Sequence, residues 1–331
     1  MRHLLRRIAF YLAALWASVT INFILPRLMP GDPVQAYVNR LRGQGTITQA
    51  TLDAIRLQLG VSNDPLWIQY FHYLGNLLRG ELGIATSHFP TPVVQVIATD
   101  LPWTIGLVGV ASIISFLLGT LLGVVVSWKR NSWVDTVVTP LLTFFSAIPY
   151  FWLALGLLYI FSFNMGIFPL GGGYDALSDI YPGWNLDFIL SVLLHAILPA
   201  LTVVISSISG WVLGMRNAMV TTLSEDYVLL ARAKGLPERR VMFTYAARNA
   251  ILPNITGLGM SLGFVVGGAL LTEMVFSYPG IGFDLLTAIR GFDYSLIQGI
   301  FLMIAIAMLT ANFLSDIVYA LLDPRVRHER G

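Results

Sequence analysis

The sequence predicts an all-α polytopic membrane protein, and three observations carry that prediction. Of its 331 residues, 56% are hydrophobic and only 11% charged, too little polar surface for a soluble domain of this size. Six stretches reach the ~20 mostly apolar residues that a helix needs to cross the hydrocarbon of a bilayer. Lys and Arg gather on one side of the path those six crossings trace. The lack of cysteine excludes disulfides, thiolate metal sites and cysteine nucleophiles, and a net charge of +2 discriminates nothing.

In chain order the expected crossings run roughly from Ile8 to Leu28, Leu101 to Trp128, Thr136 to Asn164, Phe188 to Met215, Ile255 to Phe276 and Tyr294 to Leu322. The first follows Arg2, Arg6 and Arg7, as a signal peptide would. Its apolar run is long and no small-residue cleavage site follows it, so it reads as a true membrane helix. With the N-terminus in the cytoplasm, fourteen of the twenty Lys and Arg fall inside: Arg2, Arg6, Arg7, Lys129, Arg130, Arg216, Arg232, Lys234, Arg239, Arg240, Arg248, Arg325, Arg327 and Arg330. Both termini are then expected to be cytoplasmic.

Between the first two crossings, Met29 to Asp100 is expected to form a helical external insertion, too polar to span and too patterned for a slack linker. Asp64 reads as an N-cap and Pro65 as the first helical residue. Leu66, Trp67, Tyr70, Phe71, Leu74, Leu77 and Leu78 follow as an apolar stripe that stops near Gly80. That stripe is expected to pack on this chain's own helices, with direct substrate contact as the other reading.

The segment from Arg216 to Pro253 is charged and helix-forming, and the same topology places it inside. Ser224 is expected to cap a helix over Glu225 to Lys234, with Glu225 and Asp226 in the first turn where the helix dipole favours acids. Gly235 is expected to end it in a left-handed conformation, and Pro237 with Glu238 to open a second helix over about 238 to 250. Tyr227, Leu230 and Ala231 share one face by their spacing. Arg232, Lys234, Arg239, Arg240 and Arg248 give the loop a basic surface.

Chemistry is sparse. His3, His72, His88, His195 and His328 are scattered without paired carboxylates, so neither a catalytic nor a metal site is expected, and no cofactor is called for. No phosphate-binding G-x-x-x-x-G-K-[ST] occurs, so any ATP hydrolysis must belong to another chain. His195, within the fourth crossing, reads as a hydrogen-bonded packing residue. Asn22, Asn312 and Asp316 are the other polar groups within apolar stretches, and Asp316 sits close in sequence to Arg325 and Arg327. Such thin intramembrane charge argues against an ion-coupled carrier, which displays relay residues at mid-membrane. Gly259, Gly263 and Gly267, four residues apart, stack on one face for helix packing or for lining a pathway. Glu273 precedes a Pro279-Gly280 bend, with Gly282 permitting another, and Phe283 to Ile289 reads as a short external helix.

ARAKG at 231 to 235, ERR at 238 to 240 and RNAILP at 248 to 253 resemble the EAA loop of ABC-importer membrane subunits, in the form of the dipeptide/oligopeptide permease family. Leu229 and Leu230 depart from the general pattern by standing where Glu and the first Ala would be, and Leu252-Pro253 lies five residues further on than in sugar-type permeases. PGDP at 30 to 33, DPLWIQY at 64 to 70, GELG at 80 to 83, SWVD at 132 to 135, IPYFWL at 148 to 153 and FSYPGIG at 276 to 282 extend the resemblance, to the first of the two peptide-permease subunits, over nearly the whole chain.

The resemblance implies a type I ABC importer permease fold in a bacterial or archaeal cytoplasmic membrane. Expected partners are a homologous second permease subunit, two cytosolic ATP-binding subunits, an external substrate-binding protein and membrane lipid; nucleic acid is not among them. It implies that Tyr227, Leu230, Ala231, Arg232, Ala233, Lys234, Gly235, Leu236, Pro237, Arg239 and Arg240 couple to the ATPase. It places Glu273, Tyr278, Pro279, Gly280 and Gly282 near the external gate. The implied cargo is di- or oligopeptide, with oligosaccharide, glutathione or nickel as alternatives within the family. A secondary carrier or an intramembrane enzyme are the readings from other classes.

Overall fold

The computed structural model describes residues 2–28, 64–129, 132–178, 180–265 and 270–322, together with Val34 and Val38. Among them the regular structure is helical: α1 (Arg2–Leu28), α2 (Leu66–Leu78), α3 (Val93–Trp128), α4 (Trp133–Ala147), α5 (Tyr150–Asn164), α6 (Leu186–Thr222), α7 (Asp226–Ala233), α8 (238–250), α9 (Leu252–Phe264), α10 (Leu270–Val275), α11 (Ile281–Arg290) and α12 (Tyr294–Leu322). Three π-helical turns interrupt α3, α5 and α8, at Ile105–Gly109, Leu158–Asn164 and Val241–Ala247.

Among the described residues, four helices are long and apolar enough to cross a membrane: Ile8–Leu28, Val93–Trp128, Leu186–Thr222 and Tyr294–Phe313. The pair Asp135–Ala147 and Tyr150–Asn164 makes a fifth if counted as one. This corrects the expectation of a plain crossing from Thr136 to Asn164, because the chain bends there by 97°. The physical reason is Pro149: its ring disfavours helical geometry at the preceding residue, and Ile148 is extended at ψ 125°. Of the expected crossing from Ile255 to Phe276 the structure describes α9 and α10, and residues 266–269 between them lie outside the described residues. So do residues 29–63 of the expected insertion, Val34 and Val38 apart.

Two compact units divide the chain, Met1–Trp103 with Pro279–Thr310 and Thr104–Tyr278 with Ala311–Gly331. In the first, α12 lies against the start of α3. A Cβ on Gly299 would overlap Val93 Cγ1, so only glycine admits this approach. Asp293, fully buried, caps α12 by accepting from the Leu296 N–H at 3.0 Å through Oδ1. Its Oδ2 accepts from the Ser87 N–H at 2.8 Å and the Ser87 hydroxyl at 2.5 Å. Asn22 of α1 donates to the Gln298 carbonyl at 2.6 Å, which accounts for one polar group within an apolar stretch.

α2 leans on α1. Tyr70 shares a 2.7 Å hydrogen bond with Thr20, and Phe23 packs edge-on to Tyr70 at 5.2 Å. The N-cap position belongs to Pro65 and not to Asp64, with no side-chain cap bond, and Gly80 at φ 75° closes the turn as expected. The apolar stripe is only partly covered: Leu66, Trp67, Phe71 and Leu78 are exposed.

In the second unit, α3 and α6 meet backbone to backbone. A Cβ on Gly123 would lie 2.7 Å from the Val212 carbonyl oxygen, and one on Gly119 would lie 2.6 Å from Trp211 Cβ. These two glycines, four residues apart, form the face on which α3 and α6 pack. At Gly259 a Cβ meets nothing of this chain within 4 Å. Gly267 lies outside the described residues, and the surroundings of Gly263 are not among those described. Asn254 is buried and bridges the helices, donating to Thr120 Oγ1 and the Trp211 carbonyl, both at 3.1 Å. Asn312 is exposed, and the side chain of Asp316 lies outside the described residues.

Candidate functional site

The loop after α6 is built as a helix, a glycine corner and a second helix. Glu225, at φ −73° and ψ 142°, stands at the N-cap of α7 without a side-chain cap bond. Ser224 is not the cap: its hydroxyl donates back to the Thr221 carbonyl at 2.7 Å, the local competition that serine offers at a helix end. α7 runs to Ala233, and Gly235 follows at φ 70°. There the Gly235 N–H donates to the Arg232 carbonyl at 2.9 Å and the Leu236 N–H to the Ala231 carbonyl at 3.4 Å. This pair of bonds is a Schellman motif, which uses up two of the carbonyls that a helix end leaves free. Pro237 then opens α8, accepting from the N–H groups of Arg240 at 2.8 Å and Val241 at 3.1 Å.

What seats the loop is one apolar cluster. Val228 and Ala231 of α7, with Val241, Ala246, Ala247 and Ala250 of α8, bury against Val124 of α3 and Met215 and Met219 of α6. Leu236 packs against the cluster as the hydrophobic residue after the corner. The buried side of α7 is thus Val228 and Ala231. Tyr227 and Leu230, which share a face with Ala231 by spacing, are exposed and turn outward. Arg232, Ala233, Lys234, Gly235, Pro237, Arg239 and Arg240 are also exposed. The structure gathers these residues into one surface of mixed apolar and basic character, with Ala231 beneath it.

Two further features tie the loop to the helices that bear it. The Arg232 guanidinium sits over the Trp128 ring at 5.0 Å, and Tyr227 accepts from Asn249 at 2.9 Å. Arg216, at the loop's entry, holds Asp135 through two parallel bonds of 3.0 and 3.1 Å. Asp135 is buried, so this fork neutralises a charge that would otherwise be costly there. Both residues stand in motifs read from the sequence, but their pairing was missed, since nothing in either motif says what it faces.

The segment around Glu273 is differently placed. Glu273 is fully buried at the end of α10, its carbonyl accepting from the Tyr278 N–H at 2.8 Å. Ser277, at φ 46°, makes a second Schellman corner without glycine. Burial, and then the neighbouring Glu273 charge, pushes the Tyr278 phenol up to about 12, so it stays neutral. Gly171 packs on this corner, where a Cβ would lie 2.7 Å from the Phe276 carbonyl oxygen. Pro279 is half-buried, and Gly280 and Gly282 are buried at the start of α11, which covers the expected short helix.

His195 behaves as a packing residue whose Nδ1 meets the Ser191 carbonyl at 2.7 Å. It lies at the wall of a cleft of about 820 Å³ with Asp175, Ser178 and Asp187. The Ser178 hydroxyl and the Leu177 N–H hold Asp175 below its usual carboxylate range. Among the described residues no three His, Asp or Glu side chains gather to hold a metal.

Several apolar membrane-length helices and a packed loop that buries one face and exposes another define a multi-pass membrane protein equipped to meet a partner. Residues 115–328 match the family described as binding-protein-dependent transport system inner membrane component, and residues 1–107 match its N-terminal part. The chain belongs to this family and is a transport component, not an enzyme. It is 36% identical over 327 residues to a putative peptide permease protein of Brucella suis, covering 99% of both chains. It is 36% identical over 336 residues to the di/tripeptide transport system permease protein DppB of Pseudomonas aeruginosa, covering 98% of both. To the oligopeptide transport system permease protein AppB of Bacillus subtilis it is 31% identical over 327 residues, covering 98% of this chain and 99% of the other.

Proposed function

We propose that the chain forms half of the translocation pathway of an ATP-driven importer for di- or oligopeptides, paired with a homologous permease. Cargo arrives from an external binding protein, and two cytosolic ATP-binding subunits drive the cycle. The peptide assignment is supported by relatives named as peptide permeases along their full length. In this reading the chain crosses the membrane six times with both termini in the cytoplasm, the 29–100 segment outside and the 216–253 loop inside.

The observation that carries the reading is the α7–corner–α8 unit. It buries Val228, Ala231 and Val241 against the ends of α3 and α6 while Tyr227, Leu230, Lys234, Arg239 and Arg240 stay exposed. A docked ATPase subunit would push on a surface that is continuous with the membrane helices through a packed core. Glu273 and the Tyr278 to Gly282 turn act at the external gate. Since Glu273 and Tyr278 are buried, they act by holding the turn and not by touching the binding protein.

Labelling of single cysteines tests the arrangement, because the chain has none of its own. In intact cells a membrane-impermeant maleimide should label Gly45→Cys and spare Arg240→Cys. The reverse pattern rejects the topology and with it the docking role of the loop. Uptake of labelled dipeptide by the reconstituted importer, competed by peptides and not by oligosaccharides, tests the cargo.

A further inference from the structure

Successive residues of a helix are turned by about 100°, so the side chains of α2 sort into sectors. Tyr70 and Tyr73 face α1. Gln69, His72 and Asn76 form a polar sector on one flank, and Trp67, Phe71 and Leu78 occupy the other, exposed by 64, 66 and 91%. Three large apolar side chains this free of protein contact need a cover.

The contacts with α1 show how far along the crossing α2 sits. Tyr70 Oη meets Thr20 Oγ1, eight residues and about 12 Å before Leu28, where the Ile8–Leu28 crossing ends. Gln69, on the polar flank, instead meets Arg27 near that end, at 3.2 Å from Nη2. The polar flank therefore faces the end of the crossing, and the apolar flank faces away from it. On α1 the exposed side chains Ile21, Ile24, Leu25 and Leu28 begin where the α2-contacting side of Thr20, Phe23 and Arg27 ends. The bare apolar flank of α2 faces back along α1, where Trp16, one turn before Thr20 on the same face, is also exposed.

We propose that α2 is an interfacial helix lying in one leaflet, with Trp67, Phe71 and Leu78 covered by phospholipid acyl chains. Helices of this kind insert about 5–10 Å beneath the headgroups and keep a polar flank in water, which is the depth and division that α1 and the α2 sectors define. A tryptophan at this level suits the membrane–water boundary, where aromatic rings concentrate. The assignment requires only that α1 crosses the membrane, and it is independent of the cargo.

The test uses the cysteine-free background. Phe71→Cys, Leu78→Cys, His72→Cys and Asn76→Cys are each nitroxide-labelled in the assembled importer in phosphatidylethanolamine–phosphatidylglycerol vesicles. Power-saturation EPR then compares access of oxygen, which partitions into lipid, with access of a water-soluble nickel chelate. The ratio of oxygen to chelate access should be several-fold higher at 71 and 78 than at 72 and 76. Equal chelate access at all four positions puts the flank in water and overturns the proposal. Immobilised spectra at 71 and 78, closed to both reagents, put a protein partner there and overturn it equally. Should Phe71→Cys fail to assemble, Trp67→Cys reads the same flank.

Discussion

A β-branched side chain at Gly235 should uncouple the importer without preventing its assembly. Gly235 holds φ 70°, and a Cβ added there meets nothing within 4 Å, so the perturbation is purely a backbone one. A left-handed residue other than glycine costs about 1–2 kcal/mol, and branching at Cβ puts valine at the upper end. At about 1.4 kcal/mol per factor of ten, a 2 kcal/mol penalty shifts the corner roughly 30-fold away from its native geometry. The bonds lost with it are those from Gly235 to Arg232 and from Leu236 to Ala231, which fix where α8 starts. In proteoliposomes, Gly235→Val should retain all subunits, while uptake falls and ATP hydrolysis loses its response to loaded binding protein. Gly235→Asn is the control, since asparagine visits the left-handed region and the site has room for it. Wild-type uptake by the valine variant would refute the coupling role. A loss as severe in the asparagine variant would refute the backbone argument itself.

Gly123→Ala places its Cβ 2.7 Å from a backbone oxygen that cannot swing aside, and overpacking of this kind costs about 1–3 kcal/mol; the melting temperature of the purified complex should fall, whereas Gly259→Ala, in open space, should leave it unchanged. Arg216→Ala strands the buried Asp135 charge at a cost of roughly 3 kcal/mol, and adding Asp135→Asn should recover part of the lost expression. Glu273→Gln should leave assembly intact and alter binding-protein-stimulated ATP hydrolysis; unchanged stimulation and uptake would make Glu273 a packing residue only.

Local signals are legible where one residue's own backbone decides the outcome. Gly80 and Gly235 stop helices at positive φ because glycine lacks the Cβ that makes this geometry costly. The 97° bend at Ile148-Pro149 also had a local signal, the restriction that proline places on its predecessor, and the long apolar count overrode it wrongly. Long-range pairing was not legible. Gly119-x-x-x-Gly123 and Gly259-x-x-x-Gly263 have the same spacing, and only the position of α6 shows that the first is the crossing point. Spacing likewise put Tyr227, Leu230 and Ala231 on one face without saying which edge of it would be buried. The choice of Val228 and Ala231 follows from where Met215 and Met219 end up. Asp293, which stands in no motif, accepts three hydrogen bonds, two from Ser87 and one from the Leu296 N–H.

That aspartate has a mechanical consequence. One oxygen is committed to the first turn of α12 and the other to Ser87, 206 positions earlier in the chain. The carboxylate is rigid and buried, so its two arms cannot lengthen and water does not compete for them. A displacement of α12 along its own axis must therefore drag the hairpin closed by the Ile84–Pro92 bridge with it, or break a charged bond to leave it behind. Helix and hairpin move as one lever arm, with Asp293 as the rivet.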